Sequence, residues 1–554
     1  MEEFYAAMDT YLQIPRTKAE IEHEKKRLVR HLKLGVVPSD IDISLRVSPA
    51  AKQHLQTKPT RTIAGVVPIA VMTSPWGCPH GRCTFCPGGL GSPFGDVPQS
   101  YTGKEPSTMR AMRHAYDAFL IVFNRLEQYV AMNHSPEKVE LIVMGGTFTA
   151  RPVKYQTEFL HDCYAAMNAF GKLFFPDGNI DQQRFQEFFE IPGNFKDEDR
   201  VRRVQERIRQ VKAQHATTTL ADEQVTNESA VVRCIGITVE TKPDWGKLEQ
   251  GNRMLEQGVT KVEIGIQSVY GHVLAATHRG HTVQDNVESL AILKDLGFKI
   301  NCHYMIGLPE TSRDADVAGL RELFTNSVYR PDLLKIYPCS VAKGTPLYND
   351  WKAGTFTAMT TEEAASMLAE WMPHVPTYCR IVRILRDVPT KQWEAGVGIT
   401  NLRQYIDQKY APKCRCIRCR EPKSRVVSWD DVHYQTLEYD ANGGKEFFIS
   451  ADDTKNDILI GFCRLRFPGQ FLRPEITRDA AILRELHVYG AATSLGKTGP
   501  TQHRGVGKQL LQLAEQIARA HDKRKIVVIS GVGVRAYYQK LGYQKEGPYV
   551  VKSI

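Results

Sequence analysis

The chain has 554 residues, of which 42% are hydrophobic and 24% charged, and its formal net charge is +10. That length exceeds one ordinary hydrophobic core and predicts two or three domains. No run approaches the ~20 apolar residues of a membrane span, and the acidic start "MEEFYAAMDTYLQIPR" lacks the apolar heart of an export signal, so a cytoplasmic location without a membrane partner is expected.

Residues 1–60 read as a basic helical segment, with Ile21, Leu28 and Leu32 at helical spacing. Six β-rich runs follow: "VVPIAVMTS" (66–74), "VELIVMGG" (139–146), "VVRCIGITVE" (231–240), "KVEIGIQS" (261–268), "KINCHYMIGLP" (299–309) and "LLKIYPC" (333–339). They are almost continuously apolar, as strands buried on both faces of a parallel sheet are. Helical stretches such as 107–130 and 284–297 lie between them, so residues 61–360 predict a partial parallel (β/α)6 barrel. Residues 171–230 are charged, mostly helical and too long for a simple crossover, which makes them an insertion. Residues 361–440 read as a basic linker. Residues 441–554 alternate short strands and helices in a different rhythm, a second α/β domain with a mainly antiparallel start. The fold class is α/β throughout.

Parallel barrels keep their chemistry at the carboxyl ends of the strands. That rule gathers Cys78, Cys83 and Cys86, Gly145, Gly146 and Thr147, Glu240, Gln267 and Ser268, the turn 307–310, and Lys335 with Tyr337 around one mouth. Six of the 12 cysteines fall in two tight trios and the rest are scattered singly, a pattern of metal binding in a reducing compartment rather than of disulfides. For "CPHGRCTFC", zinc with His80 as fourth ligand competes with a 4Fe-4S cluster on three thiolates that leaves one iron open. The position at the barrel mouth favours the cluster, with Phe85 as a shield from water. "CRCIRCRE" places Cys414, Cys416 and Cys419 away from any such mouth, so structural zinc is expected there. Its fourth ligand stays open among His374, Cys379, His433 and His487. The interleaved Arg415, Arg418 and Arg420 either face a phosphate backbone or surround a staple between domains.

"QHRGVGKQLL" (502–511) sets a Gly-rich loop before a helix, a cradle for pyrophosphate. Three basic clusters stand out. Residues 16–33 carry seven basic residues and three acids, 200–212 six and one, and 403–425 eight and two. Together they predict a polyanion partner, although each alone reads as a solvated face.

The first trio with its Gly-Gly turn resembles the radical S-adenosylmethionine enzymes. The spacing is C-x4-C-x2-C where that family usually has C-x3-C-x2-C. The resemblance implies that the open iron chelates the methionine part of S-adenosylmethionine and that one-electron cleavage yields a deoxyadenosyl radical. It sets Gly145 and Gly146 beside the methionine amino group, with Thr147 also binding the cofactor, and Glu240 and Gln267 in the pocket wall, helix capping being the alternative for the last two. The loop Gln502, His503, Arg504, Gly505, Val506 and Gly507 resembles that of GNAT acetyltransferases. This implies acetyl-CoA, a flanking strand with Glu485, Leu486, His487 and Val488, and Tyr537 or Tyr538 near the thioester, the other tyrosine packing the helix. The combination, with "VRILRDVP", "TNLRQ", "CRCIRCRE" and "ISGVGVRAYYQKLGY", resembles the catalytic subunit of Elongator in its stand-alone archaeal or bacterial form. It implies a tRNA-modifying enzyme that joins an acetyl group, activated by the radical, to C5 of the wobble uridine and releases 5-carboxymethyluridine. The anticodon stem-loop would be the partner and Lys335 either faces the mouth or is a salt-bridged core lysine. The electron-donor protein is unnamed and a homodimer stays open. A protein lysine acetyltransferase with a structural radical domain and a non-catalytic tRNA-binding scaffold are the rival readings.

Overall fold

The computed structural model describes residues 1–52, 55, 65–193, 197–386, 388–423, 425–490 and 505–554. The chain divides into two compact units. One comprises Met1–Ile69, Ala118–Glu140 and His161–Cys234; the other comprises Ala70–Asp117, Leu141–Leu160 and Ile235–Ile554.

The first unit is mainly helical. Thr17 and Glu20 form a capping box that starts the helix Lys18–His31. Its Ile21 and Leu28 pack with Phe4 and Met8 of the helix Glu2–Tyr11 and with Leu12, which caps that helix. The helix Glu198–Ala213, capped by Asp197, buries Val204, Ile208 and Val211. It carries the second basic cluster, and there acids from elsewhere meet the charges. Arg203 and Arg207 share Glu190, at 2.6 and 2.7 Å, and Lys212 reaches Asp162 at 2.7 Å.

A seven-stranded sheet supplies the barrel. Its strands are β1 (Val67–Met72), β4 (Lys138–Met144), β5 (Arg233–Thr241), β6 (Lys261–Gln267), β7 (Lys299–Ile306), β8 (Leu333–Pro338) and β9 (Arg380–Ile384), in that spatial order. A small antiparallel hairpin, β2 (Gly89–Ser92) with β3 (Gly95–Val97), follows the first cysteine trio. Register from β5 through β9 is parallel. Six of these strands match the predicted runs. The seventh, β9, comes from residues that read as linker and pairs with β8 at Leu333↔Arg380. The predicted helix 107–130 is two helices, Pro106–Arg113 and Ala118–Ala131, with Ala115 and Tyr116 at positive φ between them.

The second sheet has the order β10 (Val432–Ala441), β11 (Gly444–Asp453), β12 (Ile458–Phe467), β13 (Ala480–Val488), β14 (Lys525–Val528), β16 (Tyr549–Ser553) and β15 (Gln544–Glu546). It is antiparallel except between β13 and β14. A buried ionic layer joins it to the barrel. Arg484 of β13 donates to both oxygens of Asp332, just before β8, and to Glu446, at 2.7–2.9 Å. Arg466 of β12 is held by Asp295 and Glu446. All five side chains are fully buried. Burial alone would push the Asp332 carboxyl up; Arg484, Lys294 and Arg464 outweigh it and hold the group far below the usual carboxylate range.

Candidate active site

The loop after β1 brings Cys78, Cys83 and Cys86 to the wall of a cavity at the carboxyl ends of the strands, beside Gly146, Thr147, Glu240, Gln267 and Lys335. Phe85 is buried and packs with Cys83, Cys86 and Met305. Each sulfur meets a polar group. Thr147 Oγ1 lies 3.5 Å from Cys78 and Gln99 Nε2 donates to Cys86 at 3.0 Å. Cys83 has Arg279 Nη1 at 3.3 Å and His80 Nε2 at 3.2 Å. Hydrogen bonds of this kind to sulfur accompany Fe–S ligation, while burial by itself pushes the Cys78 and Cys83 thiols up. Among the described residues, only Cys414, Cys416 and Cys419 place three ligand atoms all within 4.8 Å of one another. The first trio is therefore more widely spread than a single ion requires, which fits a multi-iron cluster. His80 acts as a hydrogen-bond partner of Cys83. Burial, with Lys242 and Arg279 nearby, pushes its pKa down to about 4.

The Gly-Gly turn is required by the backbone. Gly145 and Gly146 have φ of +126° and +98°, and a Cβ on Gly145 would sit 2.1 Å from Thr73 Oγ1. Gly145 N donates to Glu240 Oε2 at 3.3 Å, and the Tyr101 hydroxyl lies 3.1 Å from both Glu240 oxygens. Burial first, then the Glu263 charge, pushes the Glu240 carboxyl up. Gln267 ends β6 at φ +61° and lines the cavity, and its Oε1 is buried without a protein partner among the described residues.

Lys335 is both mouth residue and ion-paired residue. Its Nζ donates to Glu263, which also accepts from His303 Nε2 at 2.8 Å and Asn301 Nδ2 at 3.1 Å. Burial favours the neutral amine, but the Glu263 carboxylate dominates and keeps Lys335 charged. Arg383 and Arg386, on and just after β9, line the same cavity with Tyr337. Reasoning from sequence missed Tyr101, Glu263, His303, Arg279 and Lys242. The alternation rule would have found Glu263 and His303, which share the inward face of neighbouring parallel strands with Lys335.

In the second domain, β13–β14 pairing ends at Leu483 and Val528 while β13 runs on to Val488. The strands thus part beside Glu485, Leu486, His487 and Val488. Glu485 is engaged by Arg464 at 2.9 Å, and His487 stacks on Phe462. Leu486 and Val488 pack against the core. Gly505, at φ +81°, caps the helix Val506–Ala520. Gln502, His503 and Arg504 lie outside the described residues. A Cβ on Gly507 would be 3.5 Å from both Tyr537 Oη and Val488 Cγ2, so Tyr537 faces the parted strands. Val506 and Tyr538 belong to the core.

Cys414, Cys416 and Cys419 hold their sulfurs close, and Arg403 Nη2 donates to Cys419 at 3.0 Å. Among the described residues none of His374, Cys379, His433 and His487 joins them at that spacing. Of the interleaved arginines, Arg420 is buried on Asp452, Arg415 pairs with Asp457 at 2.9 Å and Arg418 donates to Val382 O at 2.6 Å.

The chain matches the Radical SAM superfamily over residues 75–320, the Radical_SAM C-terminal domain over 331–411 and the Acetyltransferase (GNAT) family over 414–543. The "tRNA uridine(34) acetyltransferase" of Methanocaldococcus infernus is 39% identical over 97% of this chain and 96% of its own length. The human "Elongator complex protein 3" is 37% identical over 94% of this chain and 91% of its own. The chain belongs to the Elongator complex protein 3 family. The solved structure of the archaeal Methanocaldococcus infernus Elp3 with an N-terminal deletion (1–46) superposes with a TM-score of 0.71, covering 89% of this chain and all of that one at 34% identity. Family membership makes the protein a transferase of the radical S-adenosylmethionine class. It implies a 4Fe-4S cluster and S-adenosylmethionine for the barrel and acetyl-CoA for the second domain. No helix among the described residues is long and apolar enough to cross a membrane.

Proposed function

We propose that the protein is a cytoplasmic tRNA-modifying enzyme that converts the wobble uridine of tRNA anticodons to 5-carboxymethyluridine, with acetyl-CoA as carbon donor. The observation that carries this reading is one cavity holding three donor-ringed cysteines and a Glu263–Lys335–His303 network, in a chain that also contains the parted strands of a GNAT domain. Uracil C5 and an unactivated acetyl methyl are poor partners for polar chemistry, and the cluster with S-adenosylmethionine, when bound on Cys78, Cys83 and Cys86, supplies a one-electron route between them.

The chain's own residues then have separate tasks. The 145–147 turn, Glu240 and Gln267 hold the amino acid part of S-adenosylmethionine. Lys335, fixed by Glu263, donates to a carbonyl of the extruded uracil, and Arg383 and Arg386 meet the phosphates on either side of it. Gly505, Val506 and Gly507, with Gln502, His503 and Arg504, hold the pyrophosphate of acetyl-CoA. Tyr537, beside Gly507, is the tyrosine assigned to the thioester. Cys414, Cys416 and Cys419 hold a structural zinc. Incubation of the iron- and sulfide-reconstituted protein with S-adenosylmethionine, dithionite, acetyl-CoA and tRNA tests the reading by nucleoside mass spectrometry. A 5-carboxymethyluridine peak that needs both cofactors supports it. Acetyl-CoA-dependent acetylation of protein lysine without any modified nucleoside would favour the acetyltransferase rival.

A further inference from the structure

We propose that Lys242, His80 and Arg279 form a cationic relay on the Cys83 sulfur that raises the reduction potential of the cluster, an inference that rests on reading Cys78, Cys83 and Cys86 as its ligands. The three sulfurs are treated unequally. Cys78 has the Thr147 hydroxyl, and Cys86 has the neutral Gln99 amide at 3.0 Å and the Ser100 hydroxyl at 3.7 Å. Among the described residues, Cys83 alone of the three receives a guanidinium, from Arg279 at 3.3 Å, together with the His80 imidazole at 3.2 Å.

Behind His80 stands a second cation. Lys242 Nζ is 3.0 Å from His80 Nδ1. An ammonium has donors only, so it makes Nδ1 the acceptor and leaves the Nε2 proton to point at Cys83. The parts are held firmly. Lys242 is 3% exposed and braced by Asp244 at 3.2 Å; Arg279 is 7% exposed, and its Nη2 is fixed on Gly265 O at 2.8 Å. Gly280, at φ +67°, lets the Arg279 segment lie flush on the ligand loop, because a Cβ there would meet His80 Cβ at 2.3 Å.

Reduction adds one negative charge to the cluster. Hydrogen bonds to sulfur and nearby positive charge, acting in a water-poor site, favour the reduced form. The Asp244 carboxylate opposes the effect from the far side of Lys242. These are positioning and tuning residues, with no contact to substrate required.

The test is an anaerobic redox titration of the reconstituted full chain without S-adenosylmethionine, followed by electron paramagnetic resonance. Lys242→Met removes an ammonium whose hydrogen-bond partners among the described residues are His80 and Asp244, so it decides the matter. It is expected to keep wild-type iron and sulfide content and to lower the midpoint by about 59 mV, a tenfold change in a one-electron equilibrium constant. Arg279→Gln should move in the same direction, and Lys242→Arg should restore the wild-type value. An unchanged midpoint in Lys242→Met with full iron content would overturn the relay and leave the cluster reading intact. Loss of iron from Lys242→Met with an unchanged circular dichroism spectrum would also overturn it, because a tuning residue leaves the ligand set whole. A wild-type chain that takes up no iron would overturn the cluster reading and the relay with it.

Discussion

The two cysteine trios use the same ligand type in the same number but sit in different surroundings. Cys78, Cys83 and Cys86 spread around a cavity, each with its own polar neighbour. Cys414, Cys416 and Cys419 draw their sulfurs within 4.8 Å beside β9, with Arg403 on one of them. An open, individually contacted set suits a cofactor with a vacant coordination position; three sulfurs drawn tightly together suit a single ion. Position in the fold and what surrounds the sulfur separate them, while the bare motif does not.

The sharpest way to break the contrast is to exchange the damage. Cys86→Ser should abolish iron loading and all modified nucleoside, with the melting temperature nearly unchanged. Cys416→Ser should leave iron loading intact and lower the melting temperature by several degrees, ~2 kcal/mol or more. Reversal of the two phenotypes, read by iron analysis and thermal unfolding, would refute the assignment of roles.

The ionic layer under the barrel gives the next largest effect. Asp332→Asn leaves Arg484 buried with a weakened partner and should cost about 3–5 kcal/mol in denaturant unfolding. Because the folded Asp332 pKa lies below its unfolded value, its contribution is complete above the ordinary aspartate pKa of about 3.9 and is lost as pH falls below it. Wild-type stability should therefore decline more steeply than that of Asp332→Asn on acidification below pH ~4. Within the cavity, Lys335→Met should reduce nucleoside formation roughly tenfold to a hundredfold through loss of a charged hydrogen bond. Iron content should not change. The smallest effect belongs to the surface. Arg202, 77% exposed in its side chain, pairs with Asp199 within one helix. Arg202→Ala should alter stability by less than about 0.5 kcal/mol, and unfolding curves that differ by more would show a buried role.

Much of the barrel is legible in sequence because strands buried on both faces have no room for polar alternation. β9 escapes that rule. Its "RIVRI" carries Arg380 and Arg383 on an edge strand, where one side need not be apolar. The cysteines and glycines of the site are also legible, since their spacing is local. The Glu263–Lys335–His303 network is marked only by alternation along β6, β7 and β8, and the Lys242–His80–Cys83 relay is assembled from separate segments that nothing local marks. Charge counting has the opposite weakness. The 200–212 cluster is strongly basic in sequence, yet Glu190 and Asp162, which meet its charges, lie outside that stretch.

The central claim is that a radical generated at the first trio acts on the acetyl group bound by the second domain. Reconstituted protein supplied with dithionite, S-adenosylmethionine, tRNA and acetyl-CoA deuterated in its methyl group tests this directly, with mass analysis of the released 5′-deoxyadenosine. The account predicts one deuterium in that product, and its disappearance in Cys86→Ser. Turnover that forms 5-carboxymethyluridine while the deoxyadenosine stays unlabelled would contradict it.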